Sequence, residues 1–197
     1  MPLFPLEIVA FPGAPLPLHI FEPRYKEMIA ECLAQESPFG MVRAKENALA
    51  AIGCSATIVT VIKKYEDGRF DIAAEGDRRF EIIEVNQERS FLQAEVAFIE
   101  DEPSTVSKNA ADALIELHER LFAVLGQAVE VERDAAFLSY HLAQELPVDL
   151  DFKQTLLEMK SEGERVETLT EYYRATIPKI EMSLRVRQRA SGNGHVH

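Results

Sequence analysis

The chain has 197 residues, 47% of them apolar and 27% charged, which is enough to bury a core in one large domain or two small ones and too apolar for disorder throughout. The formal net charge of −12 denies the molecule as a whole the basic footprint of a nucleic-acid binder, although a small local basic patch is compatible with it. No stretch approaches the roughly 18 uninterrupted apolar residues of a membrane helix, and Glu7 with five prolines breaks the apolar first 21 residues as a signal peptide, so a soluble cytoplasmic protein is expected.

In chain order, residues 6–11 (LEIVAF) read as a strand stopped by Pro12 and Gly13. Residues 16–20 read as a second, at an edge or irregular position, because Pro17 cannot donate to a ladder. Pro23 suits the first turn of a helix, where a missing N–H costs nothing. Tyr25, Met28, Ile29, Cys32 and Leu33 then follow at the spacing of one buried helical stripe. Residues 39–43 form a short strand, and residues 56–65 (ATIVTVIKKY) a longer one rich in β-branched side chains. Asp67 and Gly68 signal a hairpin, since glycine tolerates the positive φ of a tight turn. Phe70, Ile72 and Ala74 alternate on the return strand, and residues 79–85 and 92–99 supply two more. Six or seven strands with one main helix are expected to close into a barrel or folded-over sheet, because open edges invite aggregation.

Near residue 103 the period changes from that of strands to that of helices. The predicted organisation is a β domain over residues 1–103, an α-helical bundle over 104–190 and a disordered polar tail over 191–197, an α+β fold. Acids outnumber bases 18 to 10 in residues 1–103 and 15 to 11 in the remainder, so neither part is basic. Ser104 or Thr105 is placed to cap a helix lined by Ala110, Leu114, Leu117, Leu121 and Val124. Asp134 is placed to cap a second, which carries Phe137, Leu138, His141 and Leu142 and ends before Pro147. A short helix covers residues 152–159. Ser161 and Glu164 have the spacing of a capping box and open the last helix. Its expected inner face is Val166, Leu169, Tyr173, Ile177, Ile180 and Leu184, with Pro178 kinking or splitting it. Arg185, Arg187 and Arg189 read as a solvated helix end whose cations favour the C-terminal dipole.

The residues offer no motif for catalysis. Cys32 and Cys54 form no C-x-x-C pair and read as buried, reduced thiols. None of the 9 glycines is followed by lysine, so no phosphate-cradling loop is visible. His118 and Glu119 begin like a zinc-protease motif, but position 122 is Phe. His118 and His141 read as packed or solvated helix residues, and His195 and His197 as part of a frayed tail. Asp149 and Asp151 read as helix caps rather than as a carboxylate pair for acid–base work. No G-x-S-x-G elbow is present. No catalytic residue, no cofactor and no metal are therefore expected.

The opening is more specific. Leu3-Phe4-Pro5-Leu6 leads to Phe11-Pro12-Gly13, and Leu16-Pro17-Leu18-His19-Ile20-Phe21-Glu22-Pro23-Arg24-Tyr25 follows directly. This string resembles the signature of the Lon protease amino-terminal (substrate-binding) domain family. The resemblance continues at Phe39-Gly40-Met41-Val42, at Asp67-Gly68-Arg69-Phe70 and at Gly76-Asp77-Arg78-Arg79-Phe80. It runs on into the helices at Lys153-Gln154, Leu156-Leu157-Glu158 and Glu164-Arg165-Val166, and so covers roughly residues 2–185. So proline-rich a string forms neither a regular helix nor a central strand. Leu3, Phe4, Leu6, Leu18, Ile20 and Phe21 are expected to pack against the sheet as extended chain with turns. Glu22 and Arg24, flanking Pro23, are expected to form a cap or a buried ion pair rather than to bind a ligand.

The resemblance implies a PUA-like barrel followed by helices, and a role in substrate recognition. A Lon protease continues into an ATPase segment and a serine–lysine protease domain, and these 197 residues contain neither. The expected function is a stand-alone, ATP-independent, non-catalytic module. Its expected partners are unfolded or partly folded polypeptides, held in an apolar groove between barrel and bundle by hydrophobic contact and main-chain hydrogen bonds. The alternative is a PUA-like RNA-binding protein, against which the acidic balance and the absence of Trp weigh. An enzyme assembled from spatially converging groups is the third reading. No membrane partner is expected, nucleic acid is disfavoured, and the residues point to no oligomeric state and no particular binding residues.

Overall fold

Seven strands form one sheet, and the hydrogen bonds of the chain's first three residues close it. The structure, a computed structural model, describes residues 1–46, 48–133 and 137–192, with residues 188–192 described by backbone alone. In order come β1 (Leu3–Leu6), β2 (Pro15–Ile20), α1 (Pro23–Gln35), β3 (Phe39–Lys45), β4 (Ala48–Leu49), β5 (Ile52–Lys64), β6 (Phe70–Asn86) and β7 (Gln93–Phe98). β1 lies parallel to β3, while β3, β5, β6 and β7 pair antiparallel in succession. The Met1 ammonium and Leu3 N–H donate to the Ala94 and Leu92 carbonyls at 2.7 and 2.8 Å, returning the sheet from β7 to β1. The expected barrel is thus present, with register shifts in β5 that let the long strands bend. β2 lies outside the ring on the first half of β6 and is an edge strand, as Pro17 requires.

Four expectations for this half are corrected. The first strand is Leu3–Leu6, not residues 6–11, so a proline-containing segment does enter the barrel wall. Pro5 is tolerated because β1 is only four residues long and its neighbours carry the ladder. The runs at 70–74 and 79–85 are one 17-residue strand. Gly76 lies inside it: a Cβ there would stand 2.1 Å from the Phe11 carbonyl oxygen, so only glycine lets the Phe11–Ala14 turn dock. The turn is held by Gly13 N–H donating to the Gly76 carbonyl and Gly76 N–H to that of Ala14. The hairpin at Asp67–Gly68 is as expected, with Gly68 at φ 83°.

α1 buries Tyr25, Met28, Ile29 and Cys32 against Phe4, Ile20, Phe39, Phe70 and Ile72, forming the first core. Glu22 precedes it but makes no side-chain cap, and its ion pair with Arg24, 2.8 Å, is exposed rather than buried. Phe21 is 60% exposed instead of packed, because the chain leaves the sheet between β2 and the proline that starts α1.

The helices are α2 (Lys108–Val124), α3 (Leu138–Glu145), α4 (Leu150–Glu158) and α5 (Glu162–Gly192). Ser107, not Ser104 or Thr105, caps α2, accepting from Ala110 N–H at 3.2 Å. Ser104 instead accepts from Gly163 N–H at the start of α5, beside Ser161 accepting from Glu164 N–H. The inner face of α2 is rotated from the expected stripe and centres on Leu114, Ile115, His118, Leu121 and Phe122. Asp149 caps α4 as expected, accepting from Phe152 N–H at 2.8 Å. Asp151 does not cap; it pairs with Arg43 and Lys45 on β3. The expected cap Asp134 and the histidines His195 and His197 lie outside the described residues. α5 runs unbroken through Pro178, and Leu184 is exposed rather than inward. The second core joins Leu114, Leu121, Leu142, Leu157, Leu169 and Tyr173 with Phe11 and Ala14 from the first half.

Candidate functional site

The seam between sheet and helices, where an apolar groove is expected, is occupied by buried charge along the contacts that define it. Phe11 stacks on Tyr140 with ring centroids 5.2 Å apart. Arg79 on β6 is 2% exposed and donates to the Leu157 and Met159 carbonyls at 2.8 and 2.6 Å and to the Asp101 carboxylate. Arg165 on α5 is fully buried and donates to the Met159 carbonyl, the Ser139 hydroxyl, Glu162 and the other oxygen of Asp101. Its guanidinium also lies 4.1 Å from the Tyr140 ring centroid. One carboxylate in the connecting segment is therefore clamped by one arginine from each half. Such a network fixes geometry, because both oxygens of the Asp101 carboxylate and both guanidinium groups are engaged and any shift strands one of them.

Open apolar surface is found instead beside β2. Its inward residues Leu16 and Ile20 are buried, while Pro17 and His19 face out. Pro15 and Pro17 are two residues apart and so share one edge. With the β6 ladder intact, their missing N–H groups fall on the free edge of β2. That edge cannot template another strand, and a groove of ≈ 240 Å³ opens between it, β1 and the first turn of α1. Leu6, Leu18 and Tyr25 contribute walls, Phe4 the floor, and the exposed Phe21 a lip. Phe4 and Tyr25 lie 4.3 Å apart between centroids and hold the floor rigid.

The outer wall is locked by a polar and aromatic lattice. His19 Nδ1 is 2.5 Å from Asp71 Oδ1, and the Tyr65 hydroxyl donates to Asp71 Oδ2 at 2.7 Å. The His19 contact, then the Tyr65 hydroxyl, hold the Asp71 carboxyl below its usual range; Asp71 in turn raises the Tyr65 phenol, which remains a donor. Lys63 and Arg69 cations lie 4.5 and 4.6 Å from the Tyr65 ring centroid. The fixed His19 ring lies stacked beside Phe21 at 5.9 Å. The groove lining contains no serine, threonine or cysteine, so its arrangement suits burial of apolar side chains rather than bond making.

The other singled-out residues lie away from the groove. Cys54 is fully buried and its thiol is pushed up to about 12 by burial; burial also raises Cys32. Both thiols are free. His118 is buried between α2 and α5, its Nδ1 2.7 Å from the Tyr173 hydroxyl and its Nε2 3.5 Å from Glu145, too long for a formed hydrogen bond. Burial holds its imidazole below the usual range. His141 accepts from Glu132 N–H at 3.4 Å. Among the described residues, no three His, Cys, Asp or Glu side chains are grouped to hold a metal ion, and no helix is long and apolar enough to cross a membrane.

The proline-interrupted strand points to an apolar groove, but the sequence places it between barrel and bundle; its clearest sign is the exposure of Phe21, an aromatic residue in a string that otherwise packs. The available signal was Pro15 and Pro17 on one edge, directly followed by an aromatic residue and a helix-starting proline.

Comparison with known proteins places the whole region in context. The family described as the ATP-dependent protease La (LON) substrate-binding domain matches residues 1–174. A Lon protease from Cytophaga hutchinsonii is 26% identical over 201 residues, covering 92% of this chain and 25% of its own length. Lon protease 2 of Myxococcus xanthus is 29% identical over 177 residues, covering 80% of this chain and 21% of its own. The chain therefore spans about a quarter of the length of the curated relatives it matches. Among solved structures, a Lon N-terminal domain protein from Xanthomonas campestris superposes with a TM-score of 0.71 at 26% identity, covering 87% of this chain and 97% of that one. The N-terminal domain of a Mycobacterium avium complex Lon protease shares the fold, with a TM-score of 0.61 at 19% identity over 88% of this chain and 97% of its own.

Proposed function

The chain belongs to the Lon substrate-binding domain family, and from that membership we propose that it is a non-catalytic recognition module that binds unfolded or partly folded polypeptides in the cytoplasm. The observation that carries this reading is the open apolar groove beside the proline-blocked edge of β2, with Phe21 exposed on its lip. A volume of ≈ 240 Å³ suits one or two apolar side chains, too few to read a long sequence. Selectivity is then low and affinity modest, as suits a receptor for many clients. Pro15 and Pro17 remove two donors from the free edge, so burial of side chains outweighs main-chain pairing, contrary to an even mixture of the two.

The test is titration of the intact protein into a fluorescently labelled, permanently unfolded polypeptide, followed by anisotropy. A saturable rise with micromolar Kd, competed by the unlabelled polypeptide and not by the same protein folded, is expected. No rise up to about 500 μM, where free energies of association fall below about 5 kcal/mol, would reject the reading.

A further inference from the structure

We propose that Arg43 and Lys45 on β3 form a receptor for the free C-terminal carboxylate of a polypeptide whose last residue is apolar. Among the described residues three arginines are buried, and their surroundings differ. Arg79 donates to three groups and Arg165 to four. Arg43, 9% exposed, has a single partner among the described residues: its Nη1 lies 2.8 Å from Asp151 Oδ1. Its Nε is buried and has no hydrogen-bond partner. The edge formed by Nε and Nη2 is one that grips a carboxylate in a fork, with two parallel N–H···O bonds. Burying a guanidinium with that edge idle costs free energy that no described residue returns.

The place already holds one carboxylate. Lys45 Nζ donates to Asp151 Oδ2 and Oδ1 at 3.1 and 3.3 Å. These bonds, then the Arg43 contact, hold the Asp151 carboxyl below its usual range. Asp151 is not the cap of its helix, since Asp149 is, and its side chain is 67% exposed. An ion pair so open contributes little to stability. Its position demonstrates that the two cations favour a carboxylate carried to them by another element.

A cavity of ≈ 370 Å³ adjoins these cations, lined by Arg43, Lys45, Glu46, Ala48, Leu49 and Ala50. Apart from the charges its walls are small and apolar, so the group attached to an entering carboxylate must be apolar and close to it. An α-carboxylate meets that demand, because its own side chain begins one carbon away. The carboxylate of an internal aspartate or glutamate would bring flanking peptide groups against the apolar walls. An inorganic anion has nothing with which to fill them. Glu46 is the one acid on the lining, exposed at the turn after β3, where water and salt screen it. The cavity shares no lining residue with the groove beside β2, so the two sites can fail separately.

The probe is a short fluorescein-labelled peptide, polar except for a final Ala-Leu with a free carboxylate, titrated with the intact protein and followed by anisotropy. Saturable binding with Kd below about 500 μM is expected, at least about tenfold tighter than for the same peptide with an amidated end. Arg43→Lys keeps the charge but loses the fork, and should weaken binding about tenfold. Asp151→Asn removes the competing carboxylate and should strengthen binding about threefold, an outcome that a damaged fold does not produce. A permanently unfolded polypeptide with a blocked C-terminus, added in excess, should not displace the peptide. Circular dichroism and thermal melting establish that each variant is folded. Equal binding of acid and amide overturns the proposal, as does displacement by sulfate at the concentration at which the unlabelled peptide acid displaces. So does a folded Arg43→Lys variant that binds as well as the parent, or an Asp151→Asn variant that binds no more tightly. Displacement by the blocked polypeptide would place the peptide in the groove beside β2 and overturn it too.

Discussion

The seam between sheet and helices and the groove beside β2 are built from opposite materials. The seam buries two arginines against one shared carboxylate, while the groove leaves Phe21 and the side of Leu18 open to solvent. Buried charge is tolerated only where it is fully paired, and once paired it admits a single geometry. Exposed apolar surface specifies no geometry and contributes little to folding, which leaves it free to meet many shapes. The contrast separates what holds the two halves together from what is available to bind.

The largest effect is expected at the seam. Arg165→Ala removes the cation paired with Glu162 and one of the two paired with Asp101, leaving Arg79 alone on the shared carboxylate. A loss of about 3–5 kcal/mol in urea-induced unfolding is expected, together with faster proteolysis around residues 100–107. A loss below about 1 kcal/mol would mean that the apolar contact of Phe11 with Tyr140 joins the halves and the clamp is incidental. Gly76→Ala probes the same junction from the barrel side. Its Cβ collides with the Phe11 carbonyl, so the turn must move away from β6. A loss of about 2–3 kcal/mol is expected by thermal melting; an unchanged melting temperature would contradict the docking of that turn.

Much of the architecture was legible before the structure. Period-two runs gave most strands, the Asp67–Gly68 turn gave the hairpin, and the Pro23 helix start was visible from residue type alone. What escaped depended on distant partners. Residues 3–6 form a strand only because β3 and the Leu92–Ala94 segment accept them, and nothing local marks them as a barrel wall. Phe80 and Phe70 lie on one strand because Gly76 lets the chain continue past the Phe11 turn, whereas a lone glycine ordinarily suggests a break. The clamp was invisible for a similar reason: Arg79, Asp101 and Arg165 lie in three segments and look like ordinary surface charges. The groove was half legible, in the prolines of β2 but not in the exposure of Phe21.

A smaller effect is expected inside the bundle, where His118 is the counterexample to the seam. It is buried, yet its Nε2 has no formed hydrogen bond, and Glu145 (on α3), Tyr173 (on α5), His141 (on α3) and its neighbour Glu119 (on α2) are the ionisable groups around it. Burial lowers its pKa in the folded state, so the unfolded chain binds the proton more tightly. Stability must therefore fall as pH drops below about 6.5, the unfolded value, with a slope of at most about 1.4 kcal/mol per pH unit from this group. His118→Gln should flatten that part of the stability profile measured by urea titration from pH 7 to 5. Identical slopes for parent and variant would show that the histidine is relieved on protonation, most directly by Glu145 closing on it.

The smallest effect on folding, and the sharpest for the comparison, belongs to Phe21. Its ring contributes a lip to the groove and touches the locked His19, but it is absent from the first core. Phe21→Ser should leave the unfolding free energy within about 0.5 kcal/mol of the parent. It should nevertheless reduce the affinity for an unfolded polypeptide about tenfold, since exposed aromatic anchors dominate shallow apolar contacts. Loss of stability with unchanged binding would invert the assignment, making Phe21 part of the scaffold and moving recognition elsewhere. Loss of binding at full stability would show that this chain keeps recognition on surface that its fold does not need.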